Sequence, residues 1–162
     1  MLYVLSGEVR LVRRSPEGVE IVLQRSRGGF VAEASLGSPR YHCDAVAAEP
    51  GDLLRFSARA FRQALADDAA FRNGWITHLE REVRRLRAQC ERLSLNSAAE
   101  RIVHYIESEG TGDAVVLTET KKAWAAELGL SHEALYRTLS AMQHQGRLRI
   151  VGSRVSLSSA LR

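Results

Sequence analysis

The sequence has few cysteines, no long apolar run and no signal-peptide pattern in its first residues. Only two of its 162 residues are cysteines, Cys43 and Cys90. They are too few and too far apart for a disulfide framework or a C-x-x-C zinc site, and free thiols are the usual state in a reducing compartment. No apolar run approaches the ~20 residues that a membrane span needs, and the N-terminus lacks the pattern of a secretion signal. We therefore expect a cytoplasmic protein with no membrane partner.

Motifs of catalysis are also absent. The sequence contains no glycine-rich phosphate loop, no G-x-S-x-G, no H-E-x-x-H and no cluster of carboxylates, which argues against an enzyme. The composition is otherwise that of a folded protein, with 45% hydrophobic and 26% charged residues. A chain of this length has room for two modest cores.

The first third of the chain has the pattern of antiparallel strands. Two extended segments, LYVLSGEVRLVRR and VEIVLQR, flank turn residues at Ser15–Gly18. Shorter extended pieces follow the glycine pair at residues 28 and 29 and end in DLLRFS. This alternation of apolar and polar residues between turn signals predicts an antiparallel β-structure.

From Ser57 the pattern becomes helical, first in ARAFRQALAD and then in a long segment from about Asp68 to Leu93. Apolar positions in the long segment recur at alternating spacings of three and four residues, the a/d pattern of a coiled coil. These positions are Ile76, Leu79, Val83, Leu86, Cys90 and Leu93. They predict pairing with a second copy of the same helix. The alternative is a single amphipathic helix packed on its own β-domain.

Two short helices joined by a glycine turn are predicted in the C-terminal part of the chain, by the stretch AAELGLSHEALYRTLSAMQHQG. The first should run from about Lys121 to Leu128, with Trp124 on its buried face. Gly129 is free to take the positive φ of a tight turn. Ser131 then provides an N-cap for the second helix.

The second of these helices should have one buried and one exposed face. Leu135, Leu139 and Met142 recur at spacings of four and three residues, so we expect them to pack inward. The outward positions are Ser131, His132, Glu133, Tyr136, Arg137, Ser140 and Gln143. Side chains of these types are suited to base edges and phosphates.

The segment RLRIVGSRVSL, which follows, alternates apolar and polar residues around Gly152, as the hairpin of a winged helix-turn-helix does. Residues 120–162 contain seven basic and two acidic side chains, a net charge of +5, so residues 1–119 carry −1 of the total +4. A basic segment that coincides with this pattern predicts double-stranded DNA as the partner. The alternative is the charged surface of an ordinary small helical domain.

In their order, these three parts resemble the Crp/Fnr superfamily of bacterial transcription regulators. The segment YVLSGEVRLVRR is similar to the family's β-roll hairpin and GGFVAEASL to its G-D-F-x-G-E segment. Further along, REVRRLRAQCERL is similar to the end of its dimerisation helix and LGLSHEALYRTLSAM to its recognition helix.

This resemblance implies an α+β fold with three parts: a partial β-roll sensor over residues 1–67, a dimerisation helix over 68–95 and a winged helix-turn-helix over 96–162. The sequence starts inside the family's β-roll. Two explanations stay open, a late start assignment or a naturally reduced sensor whose strand edge is covered by another element or partner.

The function implied is that of a homodimeric, sequence-specific transcription regulator. It would bind a near-palindromic site with half-sites about one DNA turn apart, and RNA polymerase would be a further partner. The expected DNA-contacting residues are Lys121, Lys122, Ser131, His132, Glu133, Tyr136, Arg137 and Arg154. His132 stands where the family often has arginine, so the preferred half-site should differ from the common one.

The sensor departs from the nucleotide-binding members. Those members place a glycine before the glutamate and an Arg-Ser or Arg-Thr pair against the cyclic phosphate, whereas the matching positions here are Ala32, Tyr41 and His42. Without the guanidinium and the glycine, most of the attraction for the phosphate is lost, so cyclic AMP is not the expected ligand. An iron–sulfur cluster is not expected either, because it needs several cysteines.

The resemblance also places Cys90 in the effector pocket, opposite Tyr41, His42 and Cys43. Our hypothesis is that Glu33, His42, Cys43 and Cys90 supply part of an effector site. The ligand would be a soft metal ion such as copper(I) or zinc, held by His42, Cys43 and Cys90, or the two thiols would respond to oxidants. In the alternative, Cys43 is a small buried hydrophobe and Cys90 faces its twin in the helix pair.

A function of another class is compatible with the same features. The shortened chain could have lost specific DNA reading and act as an interaction partner that heterodimerises with a full-length relative through the long helix. Native mass measurement of mixtures would reveal such heterodimers.

Overall fold

The computed structural model describes residues 1–18 and 20–158. It divides the chain into two compact units, Met1–Ile76 and Thr77–Arg162. Val19, the first residue of the predicted strand VEIVLQR, and Arg162, one of the basic residues counted in the C-terminal part, lie outside the described residues.

The first unit consists of two antiparallel sheets and a helix, followed by the start of a longer helix. In chain order its elements are β1 (Leu2–Val4), β2 (Glu8–Arg14), β3 (Glu20–Ser26), β4 (Gly29–Val31), a 3₁₀ turn (Glu33–Ser35), β5 (Asp44–Glu49), β6 (Leu53–Arg55), α1 (Ala58–Asp67) and the first residues of α2 (Ala69–Ser94). The strand orders are β4-β1-β6 and β3-β2-β5. The predicted antiparallel β-structure is confirmed.

The extended segment LYVLSGEVRLVRR, which also resembles a hairpin, contains two strands. It is divided into β1 and β2, which belong to different sheets. The division falls at Gly7, whose φ is +76°, and a Cβ at this position would lie 2.4 Å from the carbonyl oxygen of Pro50. The chain therefore turns sharply between the strands and needs a residue without a side chain.

Two apolar clusters hold the first unit together. Val4, Val9 and Val31 are at the centre of the sheet cluster. The other cluster contains Phe61 of α1 and Trp75 of α2, whose rings lie edge to face with centroids 4.9 Å apart. Helix α1 and the start of α2 are therefore attached to one another through aromatic packing.

The second unit contains three short helices and a small sheet, in addition to most of α2. Its further elements are α3 (Ala98–Glu109), β7 (Ala114–Val116), α4 (Lys121–Glu127), α5 (His132–His144), β8 (Leu148–Val151) and β9 (Arg154–Leu157). The strand order is β7-β9-β8, and all pairs are antiparallel. Both helices of the predicted helical pair and the predicted hairpin are present.

A single core joins these elements. Trp124 of α4, Ile102 and Ile106 of α3 and Leu135 of α5 have no measurable exposure. They pack together with Val155 of the hairpin. Helices α4 and α5 are thus parts of one packed body, in which the position of each helix depends on the other.

Hydroxyl side chains fix where the four shorter helices begin. Ser57, Ser97, Thr120 and Ser131 each accept a hydrogen bond from the backbone N–H three residues further on. These bonds satisfy donors that have no partner inside the helix, which explains the starts of α1, α3, α4 and α5. The predicted cap at Ser131 is confirmed.

Helix α2 agrees with the predicted long helix within one or two residues at each end. Its six a/d positions are all exposed in the single chain, and the five aliphatic ones have between 37% and 49% of their surface accessible. A largely exposed apolar stripe therefore runs along α2 in the described part of the chain.

Candidate nucleic-acid interface

The two faces of α5 are as the periodicity predicts. Leu135, Leu139 and Met142 are buried in the core. All seven predicted outward residues are exposed: Ser131, His132, Glu133, Tyr136, Arg137, Ser140 and Gln143. This outward face of α5 is polar, with an imidazole, a guanidinium, a carboxylate and a phenol within about three turns.

At the start of α5, hydrogen bonds stabilise the ionised carboxylate of Glu133. Its carboxylate accepts hydrogen bonds from its own backbone N–H and from the hydroxyl of Ser131, and the nearby His132 acts in the same direction. Together these interactions lower the pKa of Glu133. The hydroxyl of Ser131 also accepts a hydrogen bond from the backbone N–H of Ala134 at 3.1 Å. The same hydroxyl therefore donates to Glu133 and caps the N-terminus of α5.

Tyr136 is the centre of a small exposed group on this face. The rings of His132 and Tyr136 lie edge to face with centroids 4.6 Å apart. The Nζ atom of Lys121, in α4, lies 5.1 Å from the centroid of the Tyr136 ring, a cation–π distance. Tyr136 is therefore in contact with two other predicted DNA-contacting residues, one on its own helix and one on α4.

The side chains of the three remaining predicted basic DNA-contacting residues are exposed to solvent. Arg137 is exposed on α5, one turn beyond Glu133. Lys122 is exposed on α4 and Arg154 on β9. All three are cations that are free of the core and able to approach a phosphate.

Arg92, near the end of α2, is fully buried and joins three helices. Its Nη2 donates to Oε1 of Glu109 at 3.0 Å and to the hydroxyl of Ser108 at 3.1 Å, both in α3. Its Nη1 lies 3.9 Å from Oε1 of Glu127, the last residue of α4. Its guanidinium also lies over the ring of Tyr105, 4.5 Å from the centroid.

Arg101, in the first turn of α3, binds backbone carbonyls on two sides. Its Nε and Nη2 donate to the carbonyl oxygens of Leu95 and Leu93, at 3.0 and 3.3 Å. Its Nη1 donates to the carbonyl oxygens of Leu128 and Gly129, at 3.2 and 3.3 Å. One guanidinium thus connects the chain at the end of α2 with the end of α4.

Gly129 allows this close approach. Its φ of +64° is the left-handed conformation expected for the turn between α4 and α5. A Cβ here would also lie 2.7 Å from Cδ2 of Leu93 and 3.1 Å from Nη1 of Arg101. The turn therefore requires glycine for its backbone conformation and for its contact with α2.

The sequence pattern did not predict the structural roles of Arg92 and Arg101. In the heptad of α2, Arg92 stands at a position opposite the a/d stripe, where an arginine is normally solvated. It is buried because α3 and α4 cover that face. Glu127, near the end of the predicted helix Lys121–Leu128, is one partner, and Glu109 at the end of α3 is the other.

The predicted effector residues lie in different surroundings. Tyr41 is 62% exposed and lines a cleft of about 190 Å³ in the first unit. His42 is exposed, and Cys43 is partly buried against the sheet cluster. Cys90 is exposed on α2, in the second unit.

The residues that line this cleft include an arginine. Arg40 lines it together with Ala32, Ser35 and Ser38. Ala32 has φ +67°, so this alanine adopts the left-handed conformation that glycine favours. The expectation that cyclic AMP is not the ligand stays a prediction.

Within residues 1–18 and 20–158, no three or more His, Cys, Asp and Glu side chains are placed to hold a metal ion. The soft-metal site formed by His42, Cys43 and Cys90 stays a prediction. None of the helices in the same ranges is long and apolar enough to cross a membrane.

Known proteins place this architecture in a class. Residues 1–68 match the family of the cyclic nucleotide-binding domain. No curated protein matches the chain in sequence. The first unit therefore has the fold of a cyclic-nucleotide-binding domain, here with a long helix and a helical unit after it.

Solved structures extend the match over nearly the whole chain. FixK2 from Bradyrhizobium japonicum is 20% identical, with a TM-score of 0.68 over 98% of this chain and 82% of its own. A CRP-family transcriptional regulator from Thermus thermophilus, TTHB099, is 20% identical, with a TM-score of 0.62 over 96% and 81%. The c-di-GMP-responsive global regulator CLP from Xanthomonas campestris is 20% identical, with a TM-score of 0.61 over 98% and 84%.

The resemblance to the Crp/Fnr superfamily of transcription regulators is confirmed by these matches. At identities of this size they establish the fold, and the function of this chain has to be argued from its own residues.

Replacing Gly129 by alanine should destabilise the second unit more than the same change at Gly152. Both glycines have positive φ, but a Cβ at Gly152 would meet nothing within 4 Å. We expect a loss of about 1 kcal/mol for Gly152→Ala from the backbone alone. For Gly129→Ala we expect about 1 to 2 kcal/mol, since the ends of the Leu93 and Arg101 side chains must also shift to admit the Cβ.

Thermal unfolding followed by Trp124 fluorescence, in a Trp75→Phe background, would measure the difference. Equal losses in the two variants would contradict the close approach of Leu93 to the turn.

Titration of Glu133 tests the geometry at the start of α5. Its pKa should lie below the ordinary value of 4.5, and Ser131→Ala should raise it. Because the pKa is lowered in the folded state, the stabilisation it represents is present at neutral pH and is lost as the pH falls through the folded pKa.

The measurement is an NMR titration of the side-chain carboxyl carbon. Ser140→Ala, an exposed change on the same helix, is the control and should leave the pKa of Glu133 where it is. A midpoint at or above 4.5 in the unchanged protein would show that the hydrogen bonds do not form.

Proposed function

We propose that this protein is a homodimeric, sequence-specific DNA-binding transcription regulator, controlled by an effector that acts on its N-terminal domain. The observation that carries the proposal is the division of α5 into a buried apolar face and an exposed face with His132, Tyr136 and Arg137. Nothing in the core uses these outward groups.

Helices α4 and α5, the turn at Gly129 and the hairpin β8–β9 form a winged helix-turn-helix in this proposal. Helix α5 is the recognition helix, and its 13 residues span about 20 Å. A major groove about 12 Å wide accepts such a helix. The first helix of the motif, α4, would then lie across the DNA backbone, where Lys121 and Lys122 meet phosphates.

The outward side chains of α5 are suited to particular base edges. The guanidinium of Arg137 can donate two hydrogen bonds to guanine, and the ionised Glu133 can accept one from cytosine. His132 offers at most one hydrogen bond to a base edge, so it cannot replace the bidentate contact of an arginine. The proposed half-site is therefore distinct from one read by an arginine at this position.

The exposed stripe of α2 supports the homodimer. Its five aliphatic side chains have 37% to 49% of their surface accessible, in a strict a/d order. A second copy of α2 is the partner that presents the same period and would bury the stripe symmetrically. In this proposal the helix pair is also the element whose arrangement the effector changes.

Two classes of effector are compatible with the residues of the first unit and α2. The cleft with Arg40, Ser35 and Ser38 offers a cation and two hydroxyls, which suit a small anionic or polar ligand. The thiols of Cys43 and Cys90 suit a soft metal or an oxidant. Anaerobic purification followed by native mass spectrometry would distinguish a bound metal from a retained organic molecule.

DNA binding should depend steeply on salt and on Arg137. The logarithm of the binding constant for a near-palindromic site should fall linearly with the logarithm of salt concentration. Arg137→Ala should weaken binding to the selected site by about 1 to 3 kcal/mol. Arg59→Ala, the same change of charge on α1, should have little effect.

Sites selected from random sequences and fluorescence anisotropy over a salt series would measure both effects. Binding that is insensitive to salt, or an Arg59→Ala effect equal to that of Arg137→Ala, would contradict the proposal. Retained pairing through α2 without any sequence preference would favour the heterodimerising interaction partner instead.

Charge on the stripe of α2 should dissociate the dimer. Leu86→Glu introduces a carboxylate at a d position, and burial of a leucine is worth about 1.5 to 3 kcal/mol for each copy. We expect the dimer dissociation constant to rise by about 100-fold or more.

Thr77→Glu makes the same change of charge at an exposed position outside the stripe, so it should leave the dimer intact. Sedimentation equilibrium measures both constants. An unchanged association of Leu86→Glu would show that α2 does not pair through this stripe.

A further inference from the structure

We propose that Arg92 and Arg101 are positioning residues, which hold the recognition helix α5 at one angle to α2 and so select one spacing between half-sites. The inference rests on the proposed function, that α5 reads DNA and α2 pairs with a second copy. It concerns the joint between these two elements.

Arg92 is the first attachment point. It has no exposed surface, it donates a hydrogen bond to Glu109, the last residue of α3, and its Nη1 lies 3.9 Å from the carboxylate of Glu127, the last residue of α4. A guanidinium without access to water cannot exchange these carboxylates for solvent. The last turn of α2 is therefore held against the ends of two helices of the reading unit.

Arg101 is the second attachment point, and it acts on the backbone. It donates to carbonyls of Leu93 and Leu95 at one end of the joint, and to those of Leu128 and Gly129 at the other. The planar fork of arginine allows these bonds to form together, whereas a lysine ammonium is a single point charge on a flexible stem. The turn that precedes α5 is thereby connected to the end of α2.

Two separate attachments restrict rotation as well as distance. The contact of Gly129 with Leu93, where a Cβ would come within 2.7 Å, places the same turn directly against α2. A contact between Nε2 of His104 and Oε2 of Glu91, 3.3 Å apart, adds a third attachment on α3. Because α4 and α5 share one core, an angle fixed at the end of α4 is also fixed for α5.

This geometry has a consequence for DNA. In a twofold dimer the separation of the two reading helices follows from their angle to the pairing helix, and half-site spacing follows from that separation. A loosened joint would leave each reading helix able to bind its half-site. It would widen the range of spacings that both helices can reach at once.

The experiment compares Arg92→Lys and Arg101→Lys with Arg87→Lys, an exposed position on α2, in the full chain. Each protein is titrated with duplexes in which the two selected half-sites are moved together or apart by single base pairs, and with a duplex that has one half-site. Circular dichroism and Trp124 fluorescence confirm that each variant is folded at the temperature used.

For the unchanged protein and Arg87→Lys we expect a strong preference for one spacing. For Arg92→Lys and Arg101→Lys the ratio between the best and the neighbouring spacings should fall by about tenfold, comparable to a lost base contact. Binding to the single half-site should stay within about twofold. A preserved spacing ratio in folded variants would overturn the proposal, as would equal losses on all duplexes. If Arg92→Lys does not fold, Arg101→Lys decides.

A readout without DNA separates this inference from the proposed function. Spin labels at Arg84 and Ser140, in a chain with Cys43 and Cys90 replaced by serine and diluted with unlabelled chain, report the distance from α2 to α5. We expect a narrow distribution in the parent and a broad one in Arg101→Lys. If the parent binds no specific DNA, the proposed function fails. The distance distribution then supports or overturns the joint by itself.

Discussion

A guanidinium that is buried without its partners is among the least favourable groups in a protein, and Arg92 makes this constraint central to the second unit. The carboxylates of Glu109 and Glu127 balance its charge, and the ring of Tyr105 packs against the flat face of its guanidinium. These three groups come from the ends or the inner face of two helices. Any fold that keeps Arg92 buried must bring the ends of α2, α3 and α4 to one place.

The same constraint decides where the reading surface lies. Helix α4 is fixed by Glu127 at its end and by Trp124 in the core, and the turn at Gly129 follows directly. Helix α5 must then leave this turn with Leu135 inward and His132 and Tyr136 outward. The polar face that we assign to DNA is thus a result of packing around α2, as well as of the sequence of α5.

Periodicity and capping were sufficient for much of this arrangement. The a/d spacing, the caps and the alternation in the hairpin are local signals, and they predicted α2, α4, α5 and β8–β9 closely. The role of Arg92 depends on which helices cover it, and the division of the first segment at Gly7 on the approach of Pro50. Such contacts join residues far apart in the chain, so no local pattern contains them.

The bare stripe on α2 has a consequence for the amount of protein in the cell. For the proposed dimer, part of the stability of α2 comes from a second chain and so depends on concentration. At low copy number the chain would be monomeric and would expose its apolar stripe. Each monomer would then bind only one half-site of a palindrome, through one recognition helix. Synthesis and degradation of the regulator would then act as a signal in their own right, in addition to any effector.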